Sequence, residues 1–250
     1  MKLLERLAGL LYPRRAMCMG CGSMTGCDRD DLCEDCREEL AKNWIGVRGV
    51  SSRTKLDGAA FAHHYHGPAG GMVRRLKYNS VWVLAGEMGR ETAKAAELLR
   101  FENIAAVTAV PMHPKRRRRR GGNHSEMIAR EAAARLGFPY MELLYRTRNA
   151  PQQARLSNAE RRKNLDGAFA VLPEMADTVR GGRILLIDDV WTTGSTATNC
   201  AKALRAAGAG RVYFAAYAFG ERKRNGKNNQ RKESHGAAHA GFEKCPREEG

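Results

Sequence analysis

Two adjacent carboxylates, Asp188 and Asp189, follow the apolar residues Ile184 to Ile187 and precede a turn of small hydroxylated residues, Thr192 to Thr196, with Gly194 at its centre. Beyond the turn, Ala197, Cys200, Ala201 and Leu204 recur at the spacing of one buried helix face. An apolar run bounded by polar turn residues fits a strand buried on both faces of a parallel sheet. Strand, glycine-containing turn and helix N-terminus together direct free N–H groups and the positive end of a helix dipole at one point, which suits an anion. The hydroxyls of Thr192, Thr193, Ser195 and Thr196 add donors there. Carboxylates repel phosphate; they suit neutral hydroxyls or a divalent cation. A ligand with a phosphate at one end and hydroxyls beside it, such as a ribose phosphate, satisfies both halves. The turn has no lysine, so it is not the G-x-x-x-x-G-K-[ST] loop of nucleoside triphosphate enzymes. The plainer alternative is a buried strand that ends in solvated aspartates before a Thr/Ser-rich turn.

A second set of chemically capable residues lies near the N-terminus. Cys18 and Cys21 form one C-x-x-C pair, and Cys33 and Cys36 form another. Each pair can turn tightly to present two thiolates, and two such turns complete a tetrahedral zinc site. The segment is too short for an apolar core of its own, so metal binding would supply its folding energy. A disulfide framework is the competing reading, and it needs an oxidising compartment. Cys27 reads as a spare thiol, Cys200 as a small core residue, and Cys245 carries no assigned role.

The elements that must position these groups can be followed along the chain. Residues 1–11 place Leu3, Leu4, Leu7 and Leu11 on one face of a short packing helix. Glu5 and Arg6 interrupt any signal-peptide core. A polar connection spans Val47 to Asp57, then Gly58 to Tyr65 reads as a strand. Pro68 opens a helix that runs through Leu76 to Lys77 and Tyr78. Of the neighbouring histidines, His63 and His64 must face opposite sides of a strand, so one is packed and the other solvated. Residues 84–100 read as a helix, and Ala105 to Met112 as a second buried parallel strand. The strand runs into a basic loop, Lys115 to Arg120. A further helix starts near Asn123, with Asn123 and Glu126 as a capping pair and Gly137 as its stop. The basic loop suits a diphosphate; a solvated face and a nucleic-acid contact are the alternatives. Met141 to Tyr145 and Ala168 to Leu172 read as strands flanking a polar segment, Arg146 to Asn164, with the composition of a mobile lid. Arg211 to Ala218 is the last strand, and residues from Gly220 onward read as a disordered basic tail.

The formal net charge is +16, of which Lys115 to Arg120 carries +6 and the tail +3. The remaining +7 is modest for a protein that binds polyanionic ligands, and it does not by itself demand nucleic acid. No apolar run reaches the ~18 residues of a membrane span, and the expected location is cytoplasmic.

Together these motifs resemble a known family. The apolar run followed by D-D-x-x-T-T-G-[SA]-T, matched from Ile184 to Thr196, resembles the phosphoribosyl diphosphate (PRPP) loop of type I phosphoribosyltransferases. Two C-x-x-C pairs, Leu76 to Tyr78, Val110 to Pro114, Arg120 to His124, Gln152 or Gln153 with Leu156, Ser157 and Arg161, Asn164, and Gly167 to Phe169 occur in the same order. That order resembles the ComF family of double-zinc-ribbon phosphoribosyltransferases, linked to competence and DNA uptake, over almost the whole chain before the tail. Members usually carry R-G-F-N-Q where this chain has Gly122 for Phe and His124 for Gln.

The resemblance implies an α/β fold: a type I phosphoribosyltransferase-like parallel sheet flanked by helices, with a small N-terminal zinc ribbon and a disordered C-terminal tail. The expected division is residues 1–46, 47–219 and 220–250. It implies that Asp188 and Asp189 bind the ribose hydroxyls of PRPP directly or through magnesium, with Arg161 also in the catalytic set. Thr192, Thr193, Gly194, Ser195 and Thr196 would hold the 5′-phosphate. Pro111, His113, Lys115 and Lys77 would receive the diphosphate, and Gln152, Gln153 and Arg155 would belong to the lid. Cys18, Cys21, Cys33 and Cys36 would hold zinc. The expected activity is transfer of ribose 5-phosphate to an acceptor for which no base stands out. The reading from another class is a DNA-uptake accessory protein that binds single-stranded DNA, or other uptake proteins, with PRPP regulatory or vestigial. A PRPP-sensing regulator ranks third, since no helix-turn-helix pattern is visible. Oligomeric state is open.

Overall fold

The computed structural model describes residues 17–23, 32–78, 82–147 and 167–220. The proposed N-terminal helix, Cys27, Gln152, Gln153, Arg155, Arg161 and the tail lie outside the described residues.

A five-stranded sheet organises the chain, in the order β1-β2-β7-β6-β3. Its strands are β1 (Trp44–Arg48), β2 (Gly58–His64), β3 (Ala106–Ala109), β6 (Arg183–Trp191) and β7 (Arg211–Phe219). β2, β7, β6 and β3 run parallel, and only the edge strand β1 is antiparallel. Parallel neighbours need crossovers, and helices supply them: α2 (Gly67–Tyr78), α3 (Leu84–Glu97) and α5 (His124–Leu136) on one face, α7 (Ser195–Ala206) on the other. The expected α/β class, a mostly parallel sheet flanked by helices, is what the chain adopts.

Alternation along the strands explains why both faces are dry. In β6, Leu185 and Ile187 pack towards α3 and α5, while Ile184 and Leu186 pack towards α7. In β2, Ala60 and Ala62 face the first layer and Ala59 and Phe61 the second. The large anchors, Tyr217, Phe61, Phe214, Met72 and Leu84, are fully buried, each worth about 1.5–3 kcal/mol on transfer from water.

Several local expectations change. Val47 and Arg48 belong to β1, where a connection was expected; Gly46 sits inside it with φ of 78° and masks the strand pattern. The basic run is not a loop but a helix, α4 (Pro114–Arg120), with Pro114 in its first turn, His113 at its N-cap and Gly121 (φ 73°) at its C-cap. Asn123 does precede α5, but its side chain makes no cap; it donates to the Val110 carbonyl instead. β6 continues to Trp191, three residues beyond Asp188, because its pairing with β7 persists to Phe219. Gly137 closes α5 as expected. His63 is packed and His64 half-exposed, the division that alternation requires.

The remaining elements are α1 (Glu34–Lys42), a short α6 (Ala176–Val179), and an antiparallel pair, β4 (Leu144–Arg146) with β5 (Phe169–Val171). Arg146, expected at the start of the lid, is a strand residue stacked over Phe169.

Candidate functional site

The ends of the parallel strands bring the expected residues together. Asp188 and Asp189 lie in β6, and their side chains are anchored by groups far away in sequence. Ser125 Oγ donates to Asp188 Oδ1 at 2.7 Å, and the Asp189 N–H donates to the same oxygen at 2.9 Å. Lys77 Nζ, in the last turn of α2, donates to Asp189 Oδ1 at 2.7 Å. Burial and the Asp189 charge push the Asp188 carboxyl up to about 7, although the Ser125 bond and Lys77 both favour its ionised form. Burial works against the Lys77 ammonium, but Asp189 and Asp188 hold its pKa above the usual lysine value. An ion pair with one partner on α2 and one on β6 thus closes the carboxylate centre.

The Thr192–Thr196 turn follows directly. Gly194 takes φ of 71° at the N-cap of α7, a conformation open to glycine at no steric cost. A Cβ at Gly194 would stand 2.3 Å from Cζ2 of Trp191, so the indole forms the floor beneath the turn. Trp191 is itself fixed edge-on against Phe61 and Phe214. Thr193 Oγ1 and Ser195 Oγ lie 2.9 Å apart, and the Ser195 N–H reaches Thr193 Oγ1 at 3.4 Å. A cavity of about 20 Å³ between Asp188, Trp191 and Thr192 to Ala197 is room for about one water. A phosphate would therefore be received at the mouth of the turn.

The third part is the turn from β3 into α4. The Val110 N–H donates to the Ile187 carbonyl at 2.9 Å, and the Val110 carbonyl accepts from Asn123 Nδ2 at 3.0 Å. His113 Nδ1 accepts from the Lys115 N–H at 3.2 Å. Pro111 and His113 are half-buried and Lys115 is exposed. The N-terminus of α5 unites this turn with the carboxylates, because Asn123 holds Val110 and Ser125 holds Asp188. Neither role was read from the sequence; the signal available was two polar residues, Asn123 and Ser125, flanking the start of an otherwise apolar helix face.

The cysteine pairs also meet. The Sγ atoms of Cys18, Cys21, Cys33 and Cys36 all lie within 4.8 Å of one another. Cys33 Sγ is 3.5 Å from Cys18 Sγ and 3.8 Å from Cys21 Sγ. A tetrahedron with metal–sulfur bonds of about 2.3 Å has its sulfurs about 3.8 Å apart, so the spacing fits zinc. Burial opposes ionisation of Cys18, but N–H groups of Cys33, Cys21 and Gly20 bring it down to about 6. Burial and the other three sulfurs push Cys36 far up, so four thiolates require a cation among them. These four cysteines can bind zinc. The Cys18–Cys21 turn is docked on α2: Arg75 donates to the carbonyl of Cys18 at 2.8 Å and to that of Gly20, and a Cβ at Gly71 would stand 2.5 Å from the Gly20 oxygen. Among the described residues no helix is long and apolar enough to cross a membrane.

No protein-family model matches the chain. It is 25% identical over 210 residues to competence protein F of Haemophilus influenzae, covering 76% of this chain and 91% of that protein. It is 30% identical over 154 residues to DNA utilization protein YhgH of Escherichia coli K12, covering 59% of this chain and 66% of YhgH. Among solved structures, it is similar to the allosteric regulatory enzyme of purine biosynthesis, with a TM-score of 0.37 and 22% identity over 53% of this chain and 26% of that one. A glutamine PRPP amidotransferase from B. subtilis aligns with a TM-score of 0.36 and 23% identity, over 52% of this chain and 25% of that one. With homologues of that kind over much of its length and a four-cysteine cluster before its parallel sheet, the chain belongs to the ComF family.

Proposed function

We propose that the chain binds PRPP and transfers its ribose 5-phosphate to an acceptor, releasing diphosphate. The observation that carries this reading is the convergence of three parts: the Asp188–Asp189 pair, the Gly194 turn at the N-terminus of α7, and the Val110–Lys115 turn, tied together through Asn123 and Ser125. Each part matches a different portion of one ligand. N–H groups and hydroxyls of Thr192 to Thr196 receive the 5′-phosphate. The carboxylates accept from the ribose hydroxyls, and the turn carrying His113 and Lys115 receives the diphosphate.

The second oxygen of each carboxylate has no hydrogen-bond partner among the described residues, and hard oxygen donors of this kind suit magnesium. Bound there, magnesium would offset the charge that grows on the departing diphosphate. The protein's own cations serve the same end. As the C1–oxygen bond of ribose breaks, the sugar becomes cationic and the leaving group gains negative charge. Lys77, now on Asp189, is drawn towards that charge, leaving Asp189 free for the sugar. By family resemblance, Arg161 belongs to the catalytic set, and Gln152, Gln153 and Arg155 belong to a lid that excludes water.

A second reading has its own observation. α4 presents Lys115 to Arg120 at the surface, and Arg120 stacks over Tyr78, which is 72% exposed. Cations beside an exposed ring suit single-stranded nucleic acid, and the relatives are named for competence and DNA utilization. One experiment separates the readings: PRPP titration with magnesium, followed by a diphosphate-release assay across candidate bases. Wild-type protein should bind PRPP, and Asp188→Ala with Asp189→Ala should abolish binding. Unchanged affinity in that variant would remove the site assignment. Binding of single-stranded DNA that weakens steeply with salt, with no diphosphate released, would favour the accessory role.

A further inference from the structure

Between α1 and α3 the helix layer is open. A groove of about 1170 Å³ lies there, and it shares no lining residue with the carboxylates or the Thr192–Thr196 turn. Leu40, His63, Met72 and Tyr217 line it and are buried, and Trp44 and Val83 line it and are 36% and 62% exposed. The polar atoms among the buried four are engaged from within. Tyr217 Oη donates to Met72 Sδ at 3.0 Å. His63 Nδ1 donates to the Leu40 carbonyl at 3.1 Å, the one role open to a ring nitrogen facing a carbonyl, and Nε2 faces Glu91 Oε2 at 3.6 Å. The charged residues along α3 pair with each other, Arg90 with Glu87 and Lys94 with Glu91. What remains for an occupant is mainly apolar surface.

Two glycines in α3 show how close that occupant comes. Glycine within a helix is less stable than alanine by about 0.5–1 kcal/mol, so each position needs a reason. At Gly89 an added Cβ would stand 2.5 Å from Cβ of Glu131, and the glycine lets α5 pack closely. Gly86 lines the groove, and an added Cβ there meets nothing within 4 Å. The same closeness is available at Gly86, but among the described residues no element uses it.

Residues 1–16 have the pattern and the reach to do so. Leu3, Leu4, Leu7 and Leu11 share one helical face, Lys2, Glu5 and Arg6 lie opposite, and Pro13 bars a longer helix. A helix of eleven residues is about 16 Å long and about 10 Å across, a cylinder on the order of 1200 Å³, which is the size of the groove. The linker from Tyr12 to Ala16 spans at most about 17 Å, and Met19, just beyond it, already lines the groove.

We propose that the apolar face of Leu3 to Leu11 seats in this groove, against Gly86 and the buried floor. One wall of the groove is α1, which carries Cys36, and the other is α3, which packs on the sheet. A segment seated between them braces the cysteine module on the sheet.

The test uses the full chain. Hydrogen exchange, read by peptide mass spectrometry, follows residues 1–11, and hydroxyl-radical footprinting follows Trp44. In the wild-type protein residues 1–11 should exchange several-fold more slowly than a synthetic peptide of the same sequence. Leu4→Asp with Leu7→Asp should remove that protection and speed Trp44 labelling several-fold, whereas Leu4→Met with Leu7→Met should keep the wild-type values. Gly86→Phe fills the seat from the α3 side, at a position with room for a side chain, and should also release the segment. It keeps the test decisive if the aspartate variant does not fold. Wild-type exchange at the rate of the free peptide overturns the proposal, as does protection that survives Gly86→Phe. Protection that fades on dilution assigns the groove to a second copy of the chain and overturns it as well. PRPP takes no part in these measurements, so they stand or fall separately from the proposed function.

Discussion

An ionised Asp188 is held where burial and the neighbouring Asp189 both oppose its charge, with only the Ser125 hydroxyl, the Asp189 N–H and Lys77 on the favourable side. The carboxyl is pushed up to about 7 in the folded chain, against about 3.9 in an unfolded one. Between those values the folded chain binds a proton that the unfolded chain does not. The stability this group contributes is therefore complete below about pH 4, declines as pH rises, and is gone above about pH 7. A carboxamide in place of this carboxyl would not titrate, yet it could keep an oxygen facing Ser125. Asp188→Asn should therefore gain thermal stability relative to wild type as pH rises from about 5 to about 8. Melting curves of the ligand-free proteins at the two pH values test this. A difference in melting temperature that stays constant would show that Asp188 is already ionised at the lower pH.

At the scale of elements, the strand–turn–helix around Asp188 was legible because its logic is local: an apolar run, a glycine with positive φ, and a helix face close together in the chain. What holds it in place was not legible. Ser125 is 63 positions from Asp188 and Lys77 is 112 from Asp189, and such pairs carry no spacing signal until the sheet order is known. The basic run misled for another reason. It has no apolar face to show helical periodicity, yet arginine is a good helix former, and Pro114 and Gly121 mark its two ends. Trp191 was also overlooked, since an aromatic within a polar motif looks incidental; in the fold it is the surface on which the turn rests. That relation makes Gly194→Ala informative. The new methyl meets both an unfavourable φ and the indole, at a cost of about 1–3 kcal/mol. Two-state denaturation should register that loss, and PRPP affinity should fall further than in a variant equally destabilised elsewhere, such as Leu204→Ala. Equal affinities in the two would mean that the turn takes no part in binding.

For the whole molecule, the cysteine cluster and the carboxylate centre share α2. The helix offers Gly71 and Arg75 to the Cys18–Cys21 turn on one side, and near its end it offers Lys77 to Asp189. Cys36 and Leu40 of α1 are buried with Met72 and Val73 in the core cluster that includes Leu185 and Ile187 of β6. Metal in the cluster would thus bear on the site through packing, although the two are separate in chemistry. About one zinc per chain is expected, lost when Cys33 and Cys36 are replaced, and a folded, metal-free wild-type protein would refute the zinc assignment. The coupling has a sharper test in Arg75→Ala, which leaves all four sulfurs intact. With Arg75 gone, the Gly20 carbonyl loses its donor, the Cys18 carbonyl keeps only the Gly22 N–H, and the turn loses its anchor on α2. Zinc should then pass to a chromogenic chelator several-fold faster than from wild type, and Lys77 should become more reactive towards acetic anhydride. Faster zinc release with Lys77 unchanged would confine Arg75 to the cluster and leave α2 rigid between the two sites.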